Sequence, residues 1–301
     1  MGIYIEIFHT AFSEYWHNLI SEILFSSDYV PWYKSYFYWL TGLSITVWIL
    51  ELAAPWRKGQ APFRKDFWLD GFYLFFNSYL FPLSGYHALS LTGVVVFNDL
   101  IGIFGMSDIT IIRITQLPKW AQLITMFIIA DFVHWNIHRL LHRLPFLWEF
   151  HKVHHSVEIL GFAAQLRFHW METVVYKCLQ YIPLSMIGFE IKDFFIIHLI
   201  ALLIGLLNHA NLKITYGPCK YFLNNPVMHI WHHAKKLPAL HGVNFGISLS
   251  LWDYLFRTAY VPESGRDIKL GFHQDELFPQ TFLGQILYPM NRQSHTFHSA
   301  N

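Results

Sequence analysis

The chain has 301 residues, of which 54% are hydrophobic, 19% aromatic and only 14% charged, with a formal net charge of +1. Soluble domains carry roughly 25% charged residues, so this composition points to lipid rather than water as the main solvent. The near-neutral balance gives no electrostatic case for a nucleic-acid partner, and two cysteines, Cys178 and Cys219, make neither a disulfide framework nor a metal pair and read as structural.

The opening stretch, MGIYIEIFHTAFSEYW, contains Glu6 and Glu14 and lacks the basic start of a cleaved signal peptide; its Gly2 is not followed by the hydroxyl residue of a myristoylation motif. Residues 36–54, YFYWLTGLSITVWILELAA, are the first strong apolar run, close to the roughly 20 residues that cross a bilayer core. Basic residues Arg57, Lys58, Arg64 and Lys65 follow at once, whereas Glu6, Glu14, Glu22 and Asp28 outweigh Lys34 before the run. That asymmetry places the later side in the cytoplasm. Residues 67–97 are apolar but broken by Asn77, Pro82 and Gly85, which reads as one kinked span or a tight pair. Residues 120–135, WAQLITMFIIADFVHW, form a third run that leads straight into a series of histidines. Two shorter runs, 174–190 and 194–210, meet at Glu190, Lys192 and Asp193 and read as a dipping hairpin or as longer helices with polar ends. The expected architecture is all-α: an integral membrane protein of about four to five membrane-embedded helices under a cytoplasmic, histidine-rich helical cap. Residues 1–118 are expected to supply membrane helices, 119–258 a catalytic domain and 259–301 a C-terminal extension with a loose tail.

Thirteen of the 19 histidines fall between His134 and His241, about a third of the chain. HKVHH at 151–155 and HIWHH at 229–233 repeat one spacing, and on a helix positions i, i+3 and i+4 share a face, so each box is expected to point three imidazoles at one place. Clustered imidazoles repel when charged and lose hydration when buried; a cation removes both penalties by taking their lone pairs. His138, His142, His151, His154, His155, His209, His229, His232 and His233 are too many for one ion and enough for two. Scarce carboxylates argue against magnesium or calcium, while imidazole suits zinc, copper, iron or nickel. No HExxH is present to give a zinc hydrolase its general base, which leans the reading towards redox chemistry. His9, His17, His87, His198, His273, His295 and His298 read as ordinary core or surface residues.

DFVHWNIHRLLHRLPFLWEFHKVHHS, followed by RFHWME, NHANL, NNPVMHIWHH and HGVNFGISLSLWDYLFRT, resembles the fatty acid hydroxylase superfamily, also called the sterol desaturase family, over roughly residues 120–258. The resemblance implies a membrane-bound non-haem di-iron enzyme that uses O2 to hydroxylate or desaturate a lipid: a sterol, a fatty acyl chain or a related molecule. Carried over by position, two iron ions are held by His138 and His142, by His151, His154 and His155, by His209, and by His229, His232 and His233. His134 stands where relatives tend to have an aromatic residue and reads as secondary; Trp170 stands where relatives often have Pro, which leaves His169 and Glu172 without an assigned role. Asp131 is expected either to orient a ligand or to cap a polar patch, and Asn208, Asn211 and Asn244 either to support ligands or to serve turns. Asp253 is expected to bond backbone or Arg257, and the glycines of HGVNFG to turn His241 towards the site. Phe162, Phe168 and Trp170 are expected along an apolar lipid groove. The chain shows no haem-binding donor motif, so electrons are expected from a separate protein. The rival expectations are a zinc-dependent membrane hydrolase of lipid amides and a metal transporter, the latter disfavoured because the boxes lie beyond the apolar runs.

Overall fold

A computed structural model describes residues 2–24, 31–106, 109–111, 113–188, 191–262 and 264–290. Among them the fold is all-helical, built from eleven α-helices and short turns. In chain order these are α1 (Gly2–Ile23), α2 (Tyr36–Ala53), α3 (Phe67–Phe75), α4 (His87–Ile103), α5 (Lys119–Arg143), α6 (Pro145–His155), α7 (Trp170–Met186), α8 (Ile191–His209), α9 (Pro226–His232), α10 (Leu251–Leu255) and α11 (Phe282–Leu287). The polar tail 291–301 and Glu190, between the two late apolar runs, lie outside the described residues.

Two helical stretches, Tyr36–Ala53 and Phe67–Ile103, are long and apolar enough to cross a membrane, with only 22% and 17% of the relevant windows buried inside the protein. A soluble core helix would hide such a face; here Ile45, Ile49, Leu89 and Leu100 are exposed. The second stretch is the kinked alternative of the two expected for residues 67–97. It runs through π-type turns at Phe76–Leu80 and Pro82–Tyr86 and bends at Gly85, whose φ of +105° leaves the helical region. Pro82 removes a helical donor, and Gly85 adopts a conformation that L side chains resist.

Local sequence sets the ends that matter most. Pro145 ends α5 at Leu144 and takes the first position of α6, where its missing N–H costs nothing. The break swings α6 back against the end of α5, so histidines on both helices meet. Asn225 caps α9, accepting from the Met228 N–H at 3.0 Å, and Pro226 occupies the first helical position.

Buried polar clamps fix the same end of the bundle. Glu51, in the last turn of α2, accepts from the backbone N–H of Phe162 (3.0 Å) and of Asn211, just past α8 (2.6 Å). Asp70 on α3 pairs with both Arg64 and Arg167. Asp131 on α5 accepts from the N–H groups of Ser248 and Leu249 (both 3.2 Å) and from Trp252 Nε1 (2.9 Å). Of the two roles expected for Asp131 it plays the polar clamp, since its partners hold a loop and none is a histidine. Asp253 accepts from Phe245 N (3.0 Å), Gly246 N (2.8 Å), Trp135 Nε1 (3.0 Å) and Thr258 Oγ1 (2.6 Å), so it bonds backbone as expected, with Trp135 and Thr258 rather than Arg257 as its side-chain partners. Asn208, Asn211 and Asn244 likewise hold backbone: Ile247 O, Arg57 O, and Met228 O with Tyr260 O. Cys178 and Cys219 are free and exposed, not packed in the core.

Asp253→Ala orphans several buried donors at once. It should lower the melting temperature in detergent by at least roughly 5 °C and loosen the 242–258 loop to hydrogen exchange. An unchanged melting curve would show that water replaces the carboxylate without cost.

Candidate metal centre

The nine histidines gather at one end of the bundle. His138 and His142 come from α5, His151, His154 and His155 from α6, His209 from the last residue of α8, and His229, His232 and His233 from α9 and its C-cap. All nine are buried, from 0 to 8% exposed. They form two groups, each with ligand-capable atoms within 4.8 Å of one another: His138, His142, His151, His155 and His232 in one, and His154, His209, His229 and His233 in the other.

This division corrects the expectation that each HxxHH box serves one place. An α-helix turns about 100° per residue, so i and i+4 lie on one side of the box and i+3 diverges to the other. His151 and His155 therefore enter the five-membered group while His154 enters the other; His229 and His233 enter the four-membered group while His232 crosses over. Each box bridges both groups.

Hydrogen bonds fix the tautomers that matter. A carbonyl oxygen only accepts, so the Nδ1 atoms of His138 (to Phe245 O, 2.7 Å), His232 (to Val243 O, 2.8 Å), His154 (to Arg167 O, 3.1 Å) and His209 (to Gly205 O, 2.9 Å) carry hydrogen. His151 Nδ1 bonds the Glu172 carboxyl at 2.8 Å. Burial pushes the imidazoles of α6 and α9 well below their ordinary range, His154 to about 3, so these rings are neutral. A neutral ring with hydrogen on Nδ1 has a bare lone pair on Nε2.

The bare atoms of His154 and His209 face each other, and further ring nitrogens stand as close. His154 Nε2 lies 3.2 Å from His209 Nε2, and His138 Nε2 lies 3.2 Å from His151 Nε2. His209 Nε2 also stands 3.0 Å from His229 and 3.2 Å from His233, and His232 Nε2 is 3.1 Å from His155. Between His154 and His209, whose hydrogens both sit on Nδ1, no proton is available to join the pair at neutral pH. Two ring nitrogens on one cation, each at about 2.0–2.1 Å and near a right angle, lie roughly 3 Å apart. The donor set therefore fits a cation in each group, with all-imidazole coordination suited to zinc, copper, iron or nickel. His142 Nε2, His229 Nδ1 and His233 Nδ1 are buried without a hydrogen-bond partner, a further sign that protein atoms alone do not complete the centre.

The surrounding groups orient the rings. Glu172 sits in the first turn of α7, where His169 and Glu172 form a reciprocal capping box. Burial pushes the Glu172 carboxyl up to about 8, and with His151 neutral the contact is a hydrogen bond between uncharged groups; a cation on His151 Nε2 would draw Glu172 back towards carboxylate. Trp148 packs at 5.1 Å from His142 and 5.3 Å from His155, and Phe245 at 5.2 Å from His142, walling the five-histidine group. The HGVNFG turn does bend sharply, with Gly242 at φ +94°, but it delivers the carbonyls of Val243 and Phe245 to ring nitrogens while His241 stays exposed outside both groups. His134 stacks on Tyr176 at 4.3 Å, and His169 caps α7 and reaches Ile286 O at 2.9 Å. Phe162 and Phe168 pack into the core around Leu206, and Trp170 packs on Phe81, so these three are core contacts.

Two adjacent all-histidine groups, buried at one end of an apolar helical bundle, could each hold a metal ion, which is the arrangement of a metal-binding membrane-type protein. Residues 123–258 match the family model described as fatty acid hydroxylase. Ornithine lipid hydroxylase OlsE of Rhizobium tropici is 34% identical over 178 residues, covering 59% of this chain and 53% of that protein. Human alkylglycerol monooxygenase is 26% identical over 220 residues, 72% of this chain and 46% of the relative; the Caenorhabditis elegans one is 30% identical over 154 residues, 48% and 29% respectively. The chain spans about half or less of the length of these curated relatives. No solved structure matches it.

What sequence reasoning left open was Glu172, together with the carbonyls of Val243, Phe245, Gly205 and Arg167. The E of RFHWME, three residues after a capping position, was the available signal for the first; the carbonyls leave none. Glu172→Ala should weaken metal binding about 10–100-fold, and Glu172→Gln, which keeps an acceptor for His151, should restore most of it, as read by metal competition with a chelator. Equal affinity in all three proteins would remove Glu172 from the centre.

Proposed function

We propose that the chain is a multi-pass membrane enzyme that uses O2 to hydroxylate or desaturate a bilayer lipid, with two iron ions held by the nine histidines. The observation that carries this reading is the gathering of nine ring nitrogens into two groups, with the bare nitrogens of His154 and His209 facing each other at 3.2 Å. The family match and the relatives, named as lipid hydroxylase and monooxygenases, support iron over the other metals that imidazole accepts. Iron held there would supply the activation of O2 and the attack on an unactivated C–H bond.

The protein's part follows from its own residues. His138, His142, His151, His155 and His232 would hold one ion, and His154, His209, His229 and His233 the other. Glu172 and the four backbone carbonyls keep the Nε2 atoms aimed inward, and Trp148 with Phe245 excludes water. Under this reading residues 1–118 supply membrane helices, 119–258 the catalytic domain and 259–301 an extension. The exposed apolar faces of α2, α4, α5 and α8 meet lipid, in line with four to five embedded helices, and the basic loop after α2 keeps the histidine cap on the cytoplasmic side. The lipid enters from the bilayer, and electrons come from a separate donor protein.

The hydrolase alternative needs a carboxylate beside a metal-bound water. Among the described residues Glu172 is the one carboxylate bonded to any of the nine histidines, and it bonds His151 on Nδ1, behind the inward-facing nitrogen. Its place is that of an orienting group. Metal analysis of the purified protein should find about two irons per chain, and lipids of cells expressing it under oxygen-18 should carry a labelled hydroxyl or lose two hydrogens. One zinc with oxygen-independent turnover would reject the proposal. His154→Ala should abolish the lipid product and at least one of the two irons; a variant with full iron content would strike His154 from the ligand set.

A further inference from the structure

The loop between α2 and α3 is tied at both ends to the helices that are long and apolar enough to cross a membrane. It therefore lies at the depth of the lipid headgroups, a position that rests on the membrane insertion proposed above but not on the oxygenase chemistry. It forms one wall of an open cleft of about 780 Å³; the opposite wall is built from Glu158, Ile159 and the stretch 266–270.

The cations of this cleft are unequally committed. Arg64 is buried and spent on Asp70. Lys65 pairs with Glu158 at 2.5 Å and Arg266 with Asp267 at 2.8 Å. Arg57, by contrast, bonds only neutral oxygens, Gln60 Oε1 at 2.9 Å and Leu160 O at 2.8 Å. Burial disfavours its charge and draws its pKa down to about 10, with Glu51 acting in the other direction. Lys58 is exposed and has no ion pair among the described residues. The lining also includes the apolar side chains of Trp56, Ile159 and Ile230. At the rim Phe63, 55% exposed, stacks on Trp68, 74% exposed, with ring centroids 5.5 Å apart. Uncompensated cations above an aromatic edge at the membrane surface suit a ligand that is anionic at its head and apolar behind it.

We infer that this cleft binds the phosphate headgroup of an anionic bilayer lipid between Arg57 and Lys58, beside the Arg266–Asp267 pair, with Phe63 and Trp68 against its acyl chains. A free phosphate would use the cations and leave the aromatic rim in water; a lipid uses both. The lining of the cleft includes Ile230 of α9 and Ile159, in the segment that follows His155, so a lipid held there rests against the elements that carry the histidines.

The test uses the full chain, purified in a neutral detergent and examined by native mass spectrometry after exposure to phosphatidylglycerol or phosphatidylcholine. About one phosphatidylglycerol per chain should survive delipidation while phosphatidylcholine is lost. The double variant Lys58→Glu with Arg266→Glu, both at exposed positions, should reduce that retention about tenfold and keep the metal content of the parent. Equal retention of the two lipids, or of phosphatidylglycerol by the two proteins, would overturn the proposal. Displacement of the lipid by millimolar inorganic phosphate would also overturn it, by reassigning the cleft to free anions. Should the double variant lose its metal, a photoreactive phosphatidylglycerol decides the matter in the parent protein: labelling of residues 55–68 supports the site and labelling elsewhere refutes it. A chain that stays in solution without detergent would defeat the membrane reading itself, and that outcome is separate from all of these.

Discussion

The centre depends on one constraint: ring nitrogens that have already given their hydrogen to a backbone carbonyl cannot satisfy one another. Each Nδ1–H···O=C bond is ordinary, yet it commits the far side of the ring to a naked lone pair in a dry interior. Two such rings, His154 and His209, stand 3.2 Å apart at Nε2 and repel unless positive charge lies between them. The fold accepts that penalty because the same bonds fix ring orientation before any ion arrives, which is the condition for tight and selective binding. Residues distant in sequence are drawn in for this purpose: Phe245 and Val243 supply carbonyls to α5 and α9, and Arg167 supplies one to α6. Those carbonyls are held in turn by Asp253, Asn244 and the Arg167–Asp70 pair.

Much of this was legible in the sequence, and the limits are instructive. The HxxHH spacing identified the rings, because a helix repeats at 3.6 residues and side chains at such offsets share a face. The same periodicity carried the finer result that i and i+4 go together while i+3 departs, but that step requires a second centre on the far side, which spacing within one box does not reveal. Apolar length located α2, the 67–103 stretch and the start of α5, and Pro145 marked the break that folds α6 back. The partners of the Nδ1 atoms stayed hidden for a simple reason: every residue has a carbonyl, so its use as an acceptor leaves no trace in side-chain identity. Asp131 and Asp253 illustrate the converse. Asp131 was open to orienting a ligand and Asp253 was expected to bond backbone or Arg257; the oxygens of both are consumed by backbone N–H groups and tryptophan donors that hold the 245–252 loop.

The exchange of ligands between the boxes also ties the two groups into one unit. The α6 box gives two rings to the five-histidine group and one to the other, and the α9 box does the reverse. Neither helix can shift without disturbing both groups. His209, at the end of α8, joins the centre to an apolar helix, and Glu51 and Asn211 lock that end to α2. Anything that moves the membrane-facing helices is therefore felt at the ring nitrogens through a few buried hydrogen bonds.

A remaining question is how neutral ligands could stabilise two cations away from water, where the cost of isolated charge is severe. Carboxylates would be the usual answer, and only Glu172 is within hydrogen-bond reach of the described rings. The helices supply another. His142 lies in the last turn of α5, His154 and His155 in the last turn of α6, His209 in that of α8, and His229 and His232 in that of α9. Four helix C-termini thus converge on the two groups. Each presents unpaired carbonyls equivalent to roughly half a negative charge, so together they amount to about two units directed at the centre. The one helix that arrives by its N-terminus, α7, brings the carboxyl of Glu172 in its first turn, which reverses the local sign. Backbone dipoles in fixed positions can therefore replace carboxylates as counter-charge. They do so without occupying coordination positions, which are left to the imidazoles.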